Sequence, residues 1–473
     1  MQSILTPLLL TSLLTSSLQA APNYQDDVLS VFKQHCLSCH NADKKKAGLD
    51  LSSFNAIQVG SSGGAVVNAG LPDNSPLYMA VNHHEDYVAM PPNKPKLPDA
   101  QLMTIHAWIA AGLIESKGGK SLLRDVQFNV ASGSAMRPEH PAVPVNLPVI
   151  PIPKVNAPLP ISALASSPWS DVVAINGHEQ VLLFSKNQSS AEADIETPTY
   201  EHIGTLPFPE GDVHDLRFSR NGEVLIAAGG RGADTGKVVV YDVKTGKIQA
   251  TIGDEYDIVL SADISSDHKY VVIGTPAKLV KIYSTANGML LHRIEKHTDW
   301  VTMVRFNPDG KLLATGDRNG GIHVWETETG GIVYTLDEHK VKINALSWRS
   351  DGNILASAAE DGKFVLWDMK DGFATRMASA HEAKLQNRYT HTTGVLDLTF
   401  LQDGRLLTTG RDRAIRLWNN DGTKSKQVTG LKSLPLSVST STDDIHTFVG
   451  GFDGELQVWK LDDMSHIQTL KIQ

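Results

Sequence analysis

Residues 339–367 read HKVKINALSWRSDGNILASAAEDGKFVLW. One strand ends at Trp348, and a second β-rich run, KFVLW, ends at Trp367. Outward from this stretch the same kind of run recurs: QVLLF at Phe184, KVVVY at Tyr241, LVKIY at Tyr283, GIHVW at Trp325, AIRLW at Trp418 and ELQVW at Trp459. The aromatics are spaced 57, 42, 42, 42, 51 and 41 residues apart, the period of a propeller blade with two insertions. Seven copies predict a seven-bladed all-β propeller over 161–473.

A finer register runs through the later copies. Trp325, Trp367 and Trp418 are preceded ten residues earlier by Thr315, Ser357 and Thr408, and six earlier by Asn319, Asp361 and Asp412. His297, His339 and His391 each precede a strand that ends nine residues later, at Phe306, Trp348 and Phe400. This pattern resembles the WD-repeat family, whose His, Ser/Thr, Asp and Trp form a hydrogen-bonded tetrad, and it is complete at His339, Ser357, Asp361 and Trp367. The resemblance implies a structural role for these histidines, so they are not candidate ligands or bases. The runs ending at Phe184 and Tyr241 lack the pattern. The last repeat carries its own outer strand at 466–471. The ring therefore closes without an exchanged strand, or else part of 142–152 joins the rim.

Composition narrows the function. The 473 residues are 41% hydrophobic and 20% charged, as in an ordinary globular protein. A net charge of -9 leaves no basic surplus, so nucleic acid is not an expected partner. The apolar run at 4–14 is too short to span a bilayer and reads as the core of an export signal over 1–20, cut after Ala20. The mature chain then has no transmembrane span and is periplasmic or otherwise exported from a bacterium. Eight of the 23 residues from 138 to 160 are proline, which predicts a semi-rigid spacer. It ends a linker, 119–160, between a small domain at 21–118 and the propeller.

The chain has two cysteines, and both fall in the pentapeptide Cys36-Leu37-Ser38-Cys39-His40. C-x-x-C-H is the attachment signature of a c-type haem. Positions i, i+3 and i+4 share one face of a helical turn, so two sulfurs and an imidazole can meet one flat porphyrin. Cys36 and Cys39 would form thioethers and His40 would ligate the iron. A thioredoxin-like redox pair would need a βαβ context, which the flanks do not show. A zinc site would need four ligands, with histidines recruited from afar.

The flanks read as helix. Asn23 with Asp26 suggests an N-cap, and Tyr24, Val28, Val31, Phe32 and Cys36 recur at helical spacing. A last helix is expected over 99–111, with Leu102, Ile105, Trp108 and Ile109 on one face and Gly112 as its stop. Between these helices lie the candidates for the distal iron ligand: Met79, His83, His84, Met90, Met103 and His106. Met103 and His106 fall within the last helix, Met79 fits a short packed helix, and His83 and His84 fit an exposed turn. Met90 precedes Pro91 and Pro92, whose fixed φ favours a rigid loop able to hold a thioether in place. A soft sulfur ligand also raises the reduction potential, as suits an electron carrier, so Met90 is the expected distal ligand, with His83 or His84 as the alternative and an open site after them. The Gly-rich run at 60–64 lacks the Lys-Ser/Thr of a phosphate-binding loop and reads as a plain loop.

Residues 28–114 resemble the planctomycete-type cytochrome c domain through VFKQHCLSCHNADKKKAGLDL, GSSGGAVVNAGLPDNSPLY, MPPNKPKLPDAQL and WIAAG, in that order. The resemblance implies a small all-α domain with one covalently attached haem c at Cys36, Cys39 and His40, and its M-P-P piece falls on Met90. The family often has a serine near the start of the last helix where this chain has Pro98. Two function classes follow. In one, the cytochrome domain performs electron transfer and the propeller is a binding platform for an unidentified redox protein. In the other, the propeller is a catalytic periplasmic oxidoreductase and the cytochrome is its relay. No concentrated acid–base constellation is legible in the propeller, which favours the non-catalytic class, since a fold alone supplies no chemistry.

Overall fold

The computed structural model describes residues 21–62, 66–70, 72–85, 87–119, 121, 128–150, 158–187, 199–385 and 389–472. The expected export signal over 1–20 and part of the Gly-rich run at 60–64 lie outside the described residues. The chain divides into two units, 1–126 and 127–473.

In the first unit, Asn23 has extended backbone and its Oδ1 accepts the Asp26 N–H at 2.9 Å, while its own N–H donates to the Asp27 carboxylate at 2.8 Å. This reciprocal pairing satisfies donors that a helix start leaves free. A π turn (Tyr24–Val28) leads into α1 (Leu29–His35). Ser53 caps α2 (Phe54–Val59) through its Oγ, and Pro76 opens α3 (Pro76–Val81). Then α4 (Asp99–Ala110) begins after Pro98 without a side-chain cap. It ends before Gly112, whose φ of +84° supplies the left-handed stop.

Leu102, Ile105, Trp108 and Ile109 of α4 are buried, as the spacing predicts. Tyr24, Phe32, Phe54 and Trp108 pack with ring centroids 5.8 to 6.4 Å apart. The Ile114 carbonyl accepts both Trp108 Nε1–H at 3.0 Å and Tyr24 N–H at 2.8 Å, which stitches the end of the unit to its start. Truncating a fully buried Trp108 to Ala would cost about 3–5 kcal/mol.

The second unit is the propeller of seven four-stranded antiparallel blades, at 164–207, 212–255, 261–294, 301–336, 343–379, 395–429 and 435–471. In every blade the repeating aromatic marks a bulge between the third and fourth strands, from Leu183/Phe184 through Val458/Trp459. The sequence period is therefore the period of a backbone irregularity that twists each outer strand.

Three blades hold the full tetrad. In the fifth, Trp367 Nε1–H donates to Ser357 Oγ at 2.8 Å, the hydroxyl meets His339 Nε2 at 3.0 Å, and His339 Nδ1 meets the Asp361 carboxylate at 2.9 Å. The other two correct the sequence register. In the fourth blade His297 pairs with Asp317 at 3.0 Å, and Asn319 instead donates its N–H to Asp317. In the sixth blade the histidine is His381, 2.7 Å from Asp412 and 2.9 Å from Thr408, and His391 is not the tetrad member. The two-stranded hairpin Glu382–Leu385 with Tyr389–Thr392 is inserted between that histidine and its blade, so counting back a fixed distance from Phe400 lands in the insertion.

The ring closes on itself. The last blade supplies its own outer strand, Ser465–Lys471, and Pro435–Thr440 lies against Leu164–Ser166. Ser437 Oγ–H donates to the Ile161 carbonyl at 2.8 Å, and Gln468 bonds both backbone groups of Tyr200. The stretch at 128–150 has its partners in this unit. Backbone N–H groups of Asn129, Gly133 and Val145 donate to Gln249, Asp267 and Lys244 at 2.9 to 3.0 Å, and the Thr205 N–H donates to Pro148 at 2.9 Å. Leu147 fills a notch formed by Gly204 and Gly246, where an added Cβ would lie 2.7 Å from it at either position.

His381→Ala takes one hydrogen-bond partner from the buried Asp412 carboxylate and Thr408 hydroxyl, which keep Arg416 and Trp418. It should cost the propeller about 1–3 kcal/mol in denaturant unfolding. Burial also holds the His381 imidazole below its ordinary 6.5 against the opposing pull of Asp412. The unfolded chain therefore takes up the proton first, so that share of stability is present above pH 6.5 and is lost as pH falls below it. Melting followed across pH 7 to 5 should show the loss, and a flat profile would contradict it.

Candidate functional site

The pentapeptide 36–40 continues α1 by one more turn, and its backbone is pinned on both sides. Phe32 O accepts the N–H groups of Cys36 and Leu37 at 2.8 and 2.9 Å, and Cys36 O accepts those of Cys39 and His40 at 3.1 and 3.0 Å. Lys46 N–H reaches back to Cys39 O and Leu51 N–H to His40 O, at 3.2 and 3.0 Å. With the main chain fixed, Cys36, Cys39 and His40 project from one turn as the i, i+3, i+4 spacing requires. Both thiols are free and half-buried. His40 Nδ1 is enclosed without a hydrogen-bond partner. Burial against the apolar core pushes the Cys36 thiol up to about 11.

The loop after the motif is organised by Asn41, which composition did not reveal. Its Oδ1 accepts the N–H groups of Asp43 and Lys44, and its Nδ2 donates to Leu37 O at 2.7 Å. The signal was present as an Asn two and three residues before a polar turn. Lys44 Nζ donates to Ser38 O at 2.8 Å, so this lysine serves the turn.

The structure separates the candidate distal ligands. Met103 is 70% exposed on α4, and His106 lies 5.1 Å from Tyr78 in an edge contact. Met79 is half-buried within α3, and His84 packs edge-on to Tyr87 at 6.2 Å. Met90 is half-buried and packs against the apolar cluster that also receives Cys36, Leu37 and Tyr78. Its N–H donates to Ala80 O at 3.0 Å, and its carbonyl lies 3.1 Å from His83 Nε2. Cys36, Cys39 and His40 thus share one turn, and Met90 shares a core with Cys36.

The propeller has a charged cluster that the sequence did not announce. Asp215, Arg217, Asp263, Arg305 and Asp397 come from the innermost strands of four blades, and Arg217 feels the charges of the other four. Burial opposes ionisation of Asp215, but Arg305 at 2.8 Å holds its carboxyl below the usual range. Burial pushes Asp397 up to about 6. Each carboxylate accepts a backbone N–H from the following blade: Asp215 from Ala262 at 3.1 Å, Asp263 from Phe306 at 2.8 Å and Asp397 from Val438 at 2.8 Å. These bonds tie each carboxylate to the blade that follows it.

A family model described as the IFT122 first beta-propeller matches residues 212–473, more than half of the chain. The chain belongs to that propeller family. A second family model, Planctomycete cytochrome C, matches residues 36–94, from Cys36 to just past Met90-Pro91-Pro92. None of the curated proteins matches the chain. The chain therefore joins a planctomycete-type cytochrome c domain to a propeller of the first family.

The residues present fit the group that a cytochrome c domain carries. Two free thiols and an imidazole leave one pinned turn, and a thioether packs on the same apolar cluster. Among the described residues no three His, Cys, Asp or Glu side chains gather as a metal cage. In the haem-free chain, alkylation of Cys36 by iodoacetamide should be slow at pH 8 and rise about tenfold per pH unit until it levels near 11, because the thiolate is the nucleophile. Peptide mass spectrometry would read it, and a plateau reached by pH 9 would contradict burial of this thiol.

Proposed function

We propose that the protein carries one haem c, attached through Cys36 and Cys39 and ligated by His40 and Met90, and acts as an exported electron-transfer protein whose propeller docks a redox partner. The observation that supports this reading is the pinned main chain at 36–40, on which Cys36, Cys39 and His40 stand at i, i+3 and i+4. A bound haem supplies one-electron redox chemistry. The chain's own residues do the rest: Cys36 and Cys39 anchor, His40 offers nitrogen, and Met90 offers a soft sulfur that favours the reduced state. The surrounding apolar cluster of Phe32, Leu97, Ile105 and Trp108 keeps water away, which also tunes the potential.

Docking by the propeller is supported by its exposed loops. Trp300 is 43% exposed, with the Arg318 guanidinium 5.0 Å from its ring centroid. Exposed Trp and Arg are the side chains that most often anchor protein partners. A catalytic propeller is disfavoured because its charged cluster is committed to ties between blades. Among the described residues no helix is long and apolar enough to cross a membrane. Export rests on the leader read from 1–20.

Two variants test this reading. Cys36→Ala with Cys39→Ala should abolish haem retention through denaturing electrophoresis, since no other cysteine can substitute. Met90→Ala in the oxidised protein should remove the weak sulfur-to-iron absorption at the red end of the spectrum and lower the reduction potential. Covalent haem in the double cysteine variant, or an unchanged spectrum after Met90→Ala, would defeat the corresponding assignment.

A further inference from the structure

His83 stands at the end of α3 in a left-handed conformation, φ +57°, where glycine or asparagine is the usual choice. Holding a histidine there strains the backbone relative to its ordinary conformation. The side chain has a task that glycine could not perform. Its Nε2 lies 3.1 Å from the carbonyl oxygen of Met90, seven residues on, so this nitrogen carries the proton and donates it. The Met90 N–H meanwhile donates to Ala80 O at 3.0 Å, within the last turn of α3. Both backbone groups of Met90 are thus tied to the end of one helix, one by the main chain and one by His83.

We infer that His83 is a positioning residue that clamps Met90 so that its thioether is presented to the iron, and is not itself an iron ligand. The inference deepens the proposed function and rests on the reading of Met90 as the distal ligand. Backbone clamping matters here because a methionine side chain has three rotatable bonds and gives a well-defined sulfur only if its Cα is fixed. A partner that orients a metal ligand from outside typically changes metal affinity by about ten- to a hundredfold when removed. His83 Nε2 is engaged by a carbonyl, so it could reach the iron only by releasing the loop that carries Met90.

The test uses the full haem-loaded protein and three variants read side by side. His83→Gly keeps the left-handed turn without strain and removes only the donor. It should weaken or abolish the sulfur-to-iron band, lower the reduction potential, and raise the affinity for added imidazole by about tenfold or more. His83→Gln retains an N–H donor of similar reach and should restore the band toward the parent value. Met90→Ala separates the two readings. If it abolishes the band while His83→Gly leaves band, potential and imidazole affinity unchanged, the clamp is overturned and Met90 stands as ligand. If Met90→Ala leaves the band intact, the ligand reading fails and the clamp with it. If His83→Gln behaves like His83→Gly, the hydrogen bond is not the positioning force and the inference is likewise overturned.

Discussion

The hydrogen bonds that fix the main chain from Phe32 to Leu51 are the constraint from which the rest of the first unit follows. A covalent attachment to two sulfurs tolerates little error in where those sulfurs point, and side chains inherit their direction from the backbone that carries them. Phe32, Cys36, Cys39 and His40 each have their carbonyl engaged, so the turn cannot unwind without breaking several bonds at once. The aromatic cluster of Tyr24, Phe32, Phe54 and Trp108 holds the helix that precedes the turn. The shared Ile114 carbonyl locks the closing segment to the opening one. Helices in this unit are short, six to twelve residues, and would be marginal alone. Packing keeps them formed, and the turn at 36–40 depends on that packing.

The propeller solves a different problem. Each blade is a sheet with two faces to bury, and a ring of seven lets every blade bury both against neighbours. Short polar ties at the inner strands then fix the order of the blades. Thr302 to Ile343 O, Asn344 to Val395 O and Ser437 to Ile161 O are all 2.7 to 2.8 Å, and they join the Asp215, Asp263 and Asp397 bonds in the same role. Nothing in this scheme needs an exchanged strand. What remains free is the loop surface, and that is where a partner can be bound without disturbing the ring.

The seven aromatics were legible because each occupies the same bulge, and six of them are buried there while Trp459 is half-buried, so residue type repeats with the backbone. The pentapeptide stood out because its i, i+3, i+4 spacing puts two cysteines and a histidine on one helical turn. The sequence register stops at Asn319 and His391 where the tetrads use Asp317 and His381, because a tetrad is a spatial set. An aspartate two residues earlier can fill the same place, and an inserted hairpin moves the histidine away from its strand without moving it from its partners. The Asp215 to Asp397 cluster was invisible for a similar reason: its members lie up to 182 residues apart and meet only at the centre of the ring. His83 read as an exposed polar turn because nothing local marks a bond to a carbonyl seven residues ahead.

The central claim is that the chain holds one redox group, in the first unit, and that the propeller adds none. The most direct test is to purify the protein and measure haem c per chain by the haemochrome spectrum, with cofactor extraction and a reversible reductive titration on the same sample. The account predicts one covalent haem per chain, a single one-electron step and no extractable chromophore. A chain without covalent haem, or one with a second chromophore that titrates independently, would contradict it.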